Sequence, residues 1–171
     1  MTDALLLVDV IKDFRHEDGD RLLESYRERL DALEATLEHA RTDGIPVIYA
    51  NDNAGIWDGD APRLVRQAVE EGLAGDLVAR VAPREGDRLV VKPRYSAFDA
   101  TPLTLILREL DVGRVILAGT ATEMCVLQTA VDGLRHGFEV TVAAGACATV
   151  DPEQERIALG YLAKVLGVEV V

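Results

Sequence analysis

The chain has 171 residues, 49% hydrophobic and 28% charged, with a formal net charge of -12. That length and mixture suit one domain spanning 1–171 and exclude a disordered, collagen-like or disulfide-scaffold chain. The acidic balance argues against nucleic acid or an anionic membrane as partner. No apolar run approaches the ~20 residues that span a bilayer. The first run, 4–8, stops at Asp9 with no basic segment before it, so no signal peptide is expected. Two cysteines, Cys125 and Cys147, make no framework, and a reducing, cytoplasmic location is expected.

In chain order, residues 4–10 form an apolar run broken only by Asp9, the pattern of a buried parallel strand. Leu22, Leu23, Tyr26, Leu30, Leu33, Leu37 and Ala40 recur at three- and four-residue steps, a helix stripe ending near Gly44. A strand over 45–50 and a polar loop over 51–60 follow, then short helical pieces over 63–73 and 77–81. A strand over 87–92 is ended by Pro93. A helix over 101–110 opens on Thr101 as cap and Pro102. A strand over 114–118 leads through a Gly-Thr-Ala-Thr turn into a helix over 123–136, ended by Gly137. A strand over 138–143, a helix over 152–166 and a last strand over 168–171 complete the chain. Such alternation predicts an α/β fold, a mostly parallel sheet covered by helices on both faces.

Open α/β sheets bind ligands beyond the carboxyl ends of their strands. Three reactive side chains fall there: Asp9 near the end of the first strand, Lys92 at the end of the third, and Cys125 after the fourth, in the first turn of the next helix. Singly, each has a bland explanation: a capping carboxylate, an exposed strand end, a small core thiol. Together they supply an acid–base group, a cation and a nucleophile on one rim. Cysteine attacks as thiolate, and an ordinary pKa of about 8.5 leaves little of it at neutral pH. A helix N-terminus and the Lys92 ammonium are expected to favour the anion. Asp9, inside an apolar strand, is expected to be partly desolvated.

The segments LLLVDVIKDF (5–14), VVKPRYSAF (90–98) and ILAGTATEMCV (116–126) resemble the isochorismatase-like cysteine hydrolases. The resemblance covers nearly the whole chain, and Gly-x-x-Thr-x-x-Cys-Val after a strand is its most specific motif. It implies a three-layer α/β/α, Rossmann-like fold with a six-stranded parallel sheet in the order 3-2-1-4-5-6. It implies an Asp–Lys–Cys triad at Asp9, Lys92 and Cys125. It also implies a cis peptide before Ala121, with the Ala121 and Cys125 N–H groups forming an oxyanion hole. Oligomers are common in this superfamily, so a homodimer or homotetramer is expected. Relatives often carry Asn where this chain has Lys12, a change either of the surface or of the pocket mouth. Nicotinamidases carry an Asp-x-His and further histidines after the second strand to hold a metal. Here 51–57 reads Asn-Asp-Asn-Ala-Gly-Ile-Trp, and no histidine lies between His39 and His136. No metal or other cofactor is therefore expected, and nicotinamide is disfavoured as substrate.

Phe14, Trp57, Tyr95 and Phe98 are expected to line an apolar pocket around the thiol, although each also suits a loop anchor. Asn51 and Asp52 face the same rim, either to bind substrate or to make an Asx turn. His16, His39, His136 and Cys147 are expected to have no role. The function these residues support is hydrolysis of the C–N bond of a small amide or carbamoyl compound through a thioester. Two alternatives stay open: vinyl-ether cleavage with Asp9 as acid, and a metabolite-binding or redox module without turnover.

Overall fold

The computed structural model describes residues 2–53 and 60–171. Strand β1 (Thr2–Val8) is followed by α1 (Gly19–Thr42), β2 (Val47–Asp52), α2 (Ala61–Arg66), α3 (Gly75–Arg80) and β3 (Arg88–Lys92). Then come α4 (Leu103–Glu109), β4 (Val112–Thr120), α5 (Leu127–Arg135), β5 (Glu139–Ala148), α6 (Pro152–Lys164) and β6 (Glu169–Val170). The strands form one six-stranded sheet in the order β3-β2-β1-β4-β5-β6, and every neighbouring pair is parallel.

The continuous apolar character of β1 follows from burial on both faces. Successive side chains alternate sides. Leu5 and Leu7 pack with Leu30, Leu33 and Leu37 of α1 and with Val78 of α3. Ala4, Leu6 and Val8 pack on the other face with Leu103 and Leu107 of α4, Ala130 of α5 and Leu162 of α6. The α1 stripe expected from the leucine spacing is the buried face of that helix. Each fully buried leucine of this kind contributes roughly 1.5–3 kcal/mol. Among the described residues, no helix is long and apolar enough to cross a membrane.

The chain winds outward from β1 to β3, then returns to place β4 on the other side of β1. That reversal opens a crevice beyond the carboxyl ends of β1 and β4. β1 ends one residue before Asp9, which takes a left-handed backbone (φ 50°) and breaks the extended run. The strand is thus shorter than its apolar stretch. Strand β5 is longer than the expected 138–143, because it is bulged. Leu117 pairs with Val142 but Gly119 pairs with Cys147, so the Gly-Ala-rich segment between them loops out and rejoins the sheet. The helix expected over 63–73 is α2 followed by a π-helical turn, Gln67–Glu71. At α4, Thr101 Oγ1 accepts from the Leu103 N–H (3.2 Å), the bond a capping Thr101 makes, although the helix itself begins one residue later than expected, at Leu103.

Gly119 of β4 leaves no room for a side chain against β1. Its φ is +128°, and a Cβ there would lie 2.0 Å from the Val8 carbonyl oxygen. Gly119→Ala is expected to cost about 3 kcal/mol or more, from backbone strain and overpacking together. Urea unfolding reads this as a lower midpoint at unchanged slope. A cost under about 1 kcal/mol would contradict the close approach.

Candidate active site

Asp9 is fixed at the crevice floor by its backbone and its carboxylate. Its N–H donates to the Ala50 carbonyl (2.9 Å), and its own carbonyl accepts from Thr120 Oγ1 (3.0 Å). The Asp52 N–H donates to Asp9 Oδ1 (2.6 Å), and Lys92 Nζ lies 2.8 Å from Oδ2. Lys92 starts two strands away, across β2, and strands are ~4.8 Å apart. Its extended side chain bridges that gap at the end of β2, where Asp52 pairs in register with Lys92. The ammonium also donates to the Arg94 carbonyl (3.0 Å) and to Cys125 Sγ (3.5 Å). Asp9 and Lys92 are each 1% exposed. Burial works to lower the Lys92 pKa, but the Asp9 carboxylate, with Cys125 and Asp52, outweighs it and raises the ammonium above the usual lysine range.

Cys125 sits in a π-helical turn, Thr122–Val126, that precedes α5. The Thr120–Ala121 peptide before this turn is cis. The Met124 and Val126 N–H groups both donate to the Ala121 carbonyl, at 3.0 and 3.2 Å. The turn is clamped from outside. Thr122 Oγ1 donates to Glu155 Oε1 (2.9 Å), and Glu123 accepts from the Val150 N–H (2.9 Å), the Asp151 N–H (3.2 Å) and Thr149 Oγ1 (2.8 Å). Sequence reasoning missed Glu155 and the clamping role of Glu123, whose place before Cys125 suggests only a favourable charge for a first helical turn. Glu155 has a readable signal, since it shares the inward stripe of α6 with Ala158 and Leu162.

Burial, and then the Asp9 carboxylate, push the Cys125 thiol up to about 12, against the pull of Lys92. The resting sulfur is therefore protonated at neutral pH. This corrects the expectation of a thiolate held by a helix end and an ammonium: desolvation and a facing carboxylate outweigh both. Iodoacetamide should accordingly alkylate Cys125 slowly at pH 7.5, with a rate that climbs steadily through pH 10 and does not level off. A plateau below pH 8, followed by peptide mass mapping, would show a preformed thiolate.

A cleft of about 540 Å³ opens above these groups; Asp9, Lys12, Tyr95, Ala121, Met124 and Cys125 are among its walls. The other residues expected there divide. Tyr95 is more than half exposed on the rim. Asp52 also borders the cleft. Asn51 reaches it too, but its side chain is spent on the chain after β1: Nδ2 donates to the Ile11 carbonyl (2.8 Å) and Oδ1 accepts from the Ile11 N–H (3.0 Å). Phe14 and Phe98 are corrected to core residues. Phe14 packs edge-on against Tyr26, and Phe98 stacks with Phe138 and His136 across the sheet. Both loops turn their rings inward, where burial is most favourable. Trp57 lies outside the described residues.

The family model for the isochorismatase domain matches residues 3–170. The chain belongs to the isochorismatase family. An isochorismatase-family protein of Bacillus subtilis, YaaI, is 32% identical over 98% of this chain and 92% of its own length. Maleamate amidohydrolase of Pseudomonas putida is 29% identical over 81% of this chain and 68% of its own. The crystal structure of nicotinamidase PncA from Bacillus subtilis superposes with a TM-score of 0.80 at 29% identity, covering 100% of this chain and 99% of that one. A similar solved structure, a pyrazinamidase of Pyrococcus horikoshii, is in complex with zinc. In this chain the segment Asn51-Asp52-Asn53 supplies one carboxylate and no imidazole. Among the described residues, no group of three or more His, Cys, Asp or Glu is placed to hold a metal ion. The described side chains of this segment do not fit a metal ion.

Proposed function

We propose that the protein is a cysteine hydrolase that cleaves the C–N bond of a small amide or carbamoyl compound through a thioester on Cys125. One observation carries this reading: at the cleft floor a single ammonium, Lys92, lies 2.8 Å from Asp9 and 3.5 Å from the Cys125 sulfur. A nucleophile, a proton acceptor and a fixed cation in mutual reach are the requirements of acyl transfer. The cleft has the volume of a small-molecule site. The named activities of relatives, a maleamate amidohydrolase and a nicotinamidase, are both hydrolyses of C–N bonds in small amides.

The geometry supports a reaction in two halves, acylation and then deacylation of Cys125. Substrate displaces water from the cleft, and Asp9 takes the proton of the Cys125 thiol as sulfur attacks the carbonyl carbon. Lys92 holds the negative charge that passes between carboxylate and sulfur. The carbonyl oxygen becomes an oxyanion, held by the Ala121 and Cys125 backbone N–H groups. Protonated Asp9 gives its proton to the departing nitrogen, the C–N bond breaks, and the acyl group remains as a thioester. Water then gives a proton to Asp9 and attacks the thioester. The carboxylic acid leaves, and the proton returns from Asp9 to the sulfur. The raised thiol pKa suits this sequence, because the sulfur ionises only as the bond forms.

The test is ammonia or amine release from a panel of primary amides, ureides and carbamoyl amino acids. Turnover of at least one class, lost in Cys125→Ala, is expected. A panel that stays intact while a vinyl ether such as isochorismate is cleaved equally by both proteins would overturn the thioester route.

A further inference from the structure

The cleft holds a second lysine that the steps above do not use. Lys12 follows Asp9 by three residues, is half-buried, and shares the cleft wall with Asp9 and Cys125. The other cleft cations are committed. Lys92 is held by Asp9 and the Arg94 carbonyl, and Arg15 donates to the Glu71 carbonyl. Lys12, among the described residues, has neither an ion pair nor a hydrogen-bond partner for its ammonium. Its stem is partly covered while its ammonium stays available to an anion that enters the cleft. In a chain of net charge -12, such a cation at a reaction centre is also the means of drawing in an anion.

We infer that Lys12 is the specificity-determining residue, and that the site takes amides bearing one carboxylate a few atoms from the scissile carbonyl, with the Lys12 ammonium as counter-ion. This rests on the hydrolase reading and narrows its substrate class. Lys12 and the Cys125 sulfur line the same cleft, so one small substrate can present its carboxylate to the first and its carbonyl to the second. The charge expected is one. Asp13 and Asp52 also border the cleft, and their negative fields oppose a dianion such as a phosphate ester. Asp13 is already engaged by the Arg15 N–H at 3.0 Å, and Asp18 by Arg21, which leaves Lys12 to the ligand.

The experiment separates binding from turnover. In the Cys125→Ala protein, calorimetry measures succinamate, which carries one carboxylate, against its neutral analogue succinamide. The same titrations are run with Lys12→Met and Lys12→Arg added. Succinamate is expected to bind at least about tenfold more tightly than succinamide, the usual scale of a charge-assisted hydrogen bond. Lys12→Met should remove that preference and Lys12→Arg should restore most of it, with unfolding midpoints unchanged. Equal affinity for the two ligands, an unaltered preference in Lys12→Met, or no succinamate binding would overturn the inference. With Cys125 intact, succinamate that binds but is never hydrolysed would overturn the hydrolase reading and leave the role of Lys12 standing.

Discussion

Cys125→Ala is expected to lower kcat by at least about a thousandfold, because the proposed thioester forms on the Cys125 sulfur. Lys92 and Asp9 stay paired in this variant, since their 2.8 Å contact does not involve the sulfur. The fold should therefore survive. Truncation of one thiol at the edge of a core is a small deletion, and the expected stability loss is about 1 kcal/mol. Steady-state ammonia release and a urea melt on the same sample check both halves. Activity within tenfold of the parent would mean that the carbonyl is attacked by water alone.

Asp9→Asn is expected to damage chemistry and stability together. The amide cannot take the thiol proton, and loss of a general base alone costs roughly 10²–10⁴ in rate. The side chains of Lys92 and Asp9 are 1% and 2% exposed, so the substitution leaves a buried ammonium without its counter-charge. Breaking such a pair costs about 3–5 kcal/mol. The double variant Asp9→Asn/Lys92→Met separates the two effects. It removes the stranded charge, so it should regain most of the lost stability and none of the activity. Equal stability of the single and double variants would show that the pair is not desolvated as the structure has it.

The sequence carried the architecture through its periodicities. The leucine spacing of α1 and the unbroken apolar run of β1 each depend on what the element buries, and both were readable without coordinates. Asp9 and Lys92 were readable because each stands out at the end of an apolar run, and the sheet order then brings them to one rim. The ionisation of Cys125 was not readable. It depends on the water excluded around the sulfur and on the side of the thiol that Asp9 faces, neither of which spacing reports. The aromatic residues failed for a related reason. Phe14 and Phe98 lie in loops beside the site, but a loop position does not say which way a ring turns, and each turned into a core. Asn51 was placed on the correct rim, and its bond to Ile11 converts it from a candidate ligand contact into a brace for the segment that carries Asp9 and Lys12.

The bond between substrate and enzyme is the most direct test of these steps. A hydrolysed amide can be mixed with enzyme, quenched in acid within milliseconds to seconds, and weighed as intact protein and as peptides. The steps require a transient mass increase equal to the acyl group, mapped to Cys125 and absent from Cys125→Ala. Rapid turnover with unmodified Cys125 at every quench time, and with one solvent oxygen delivered straight to the product, would contradict them.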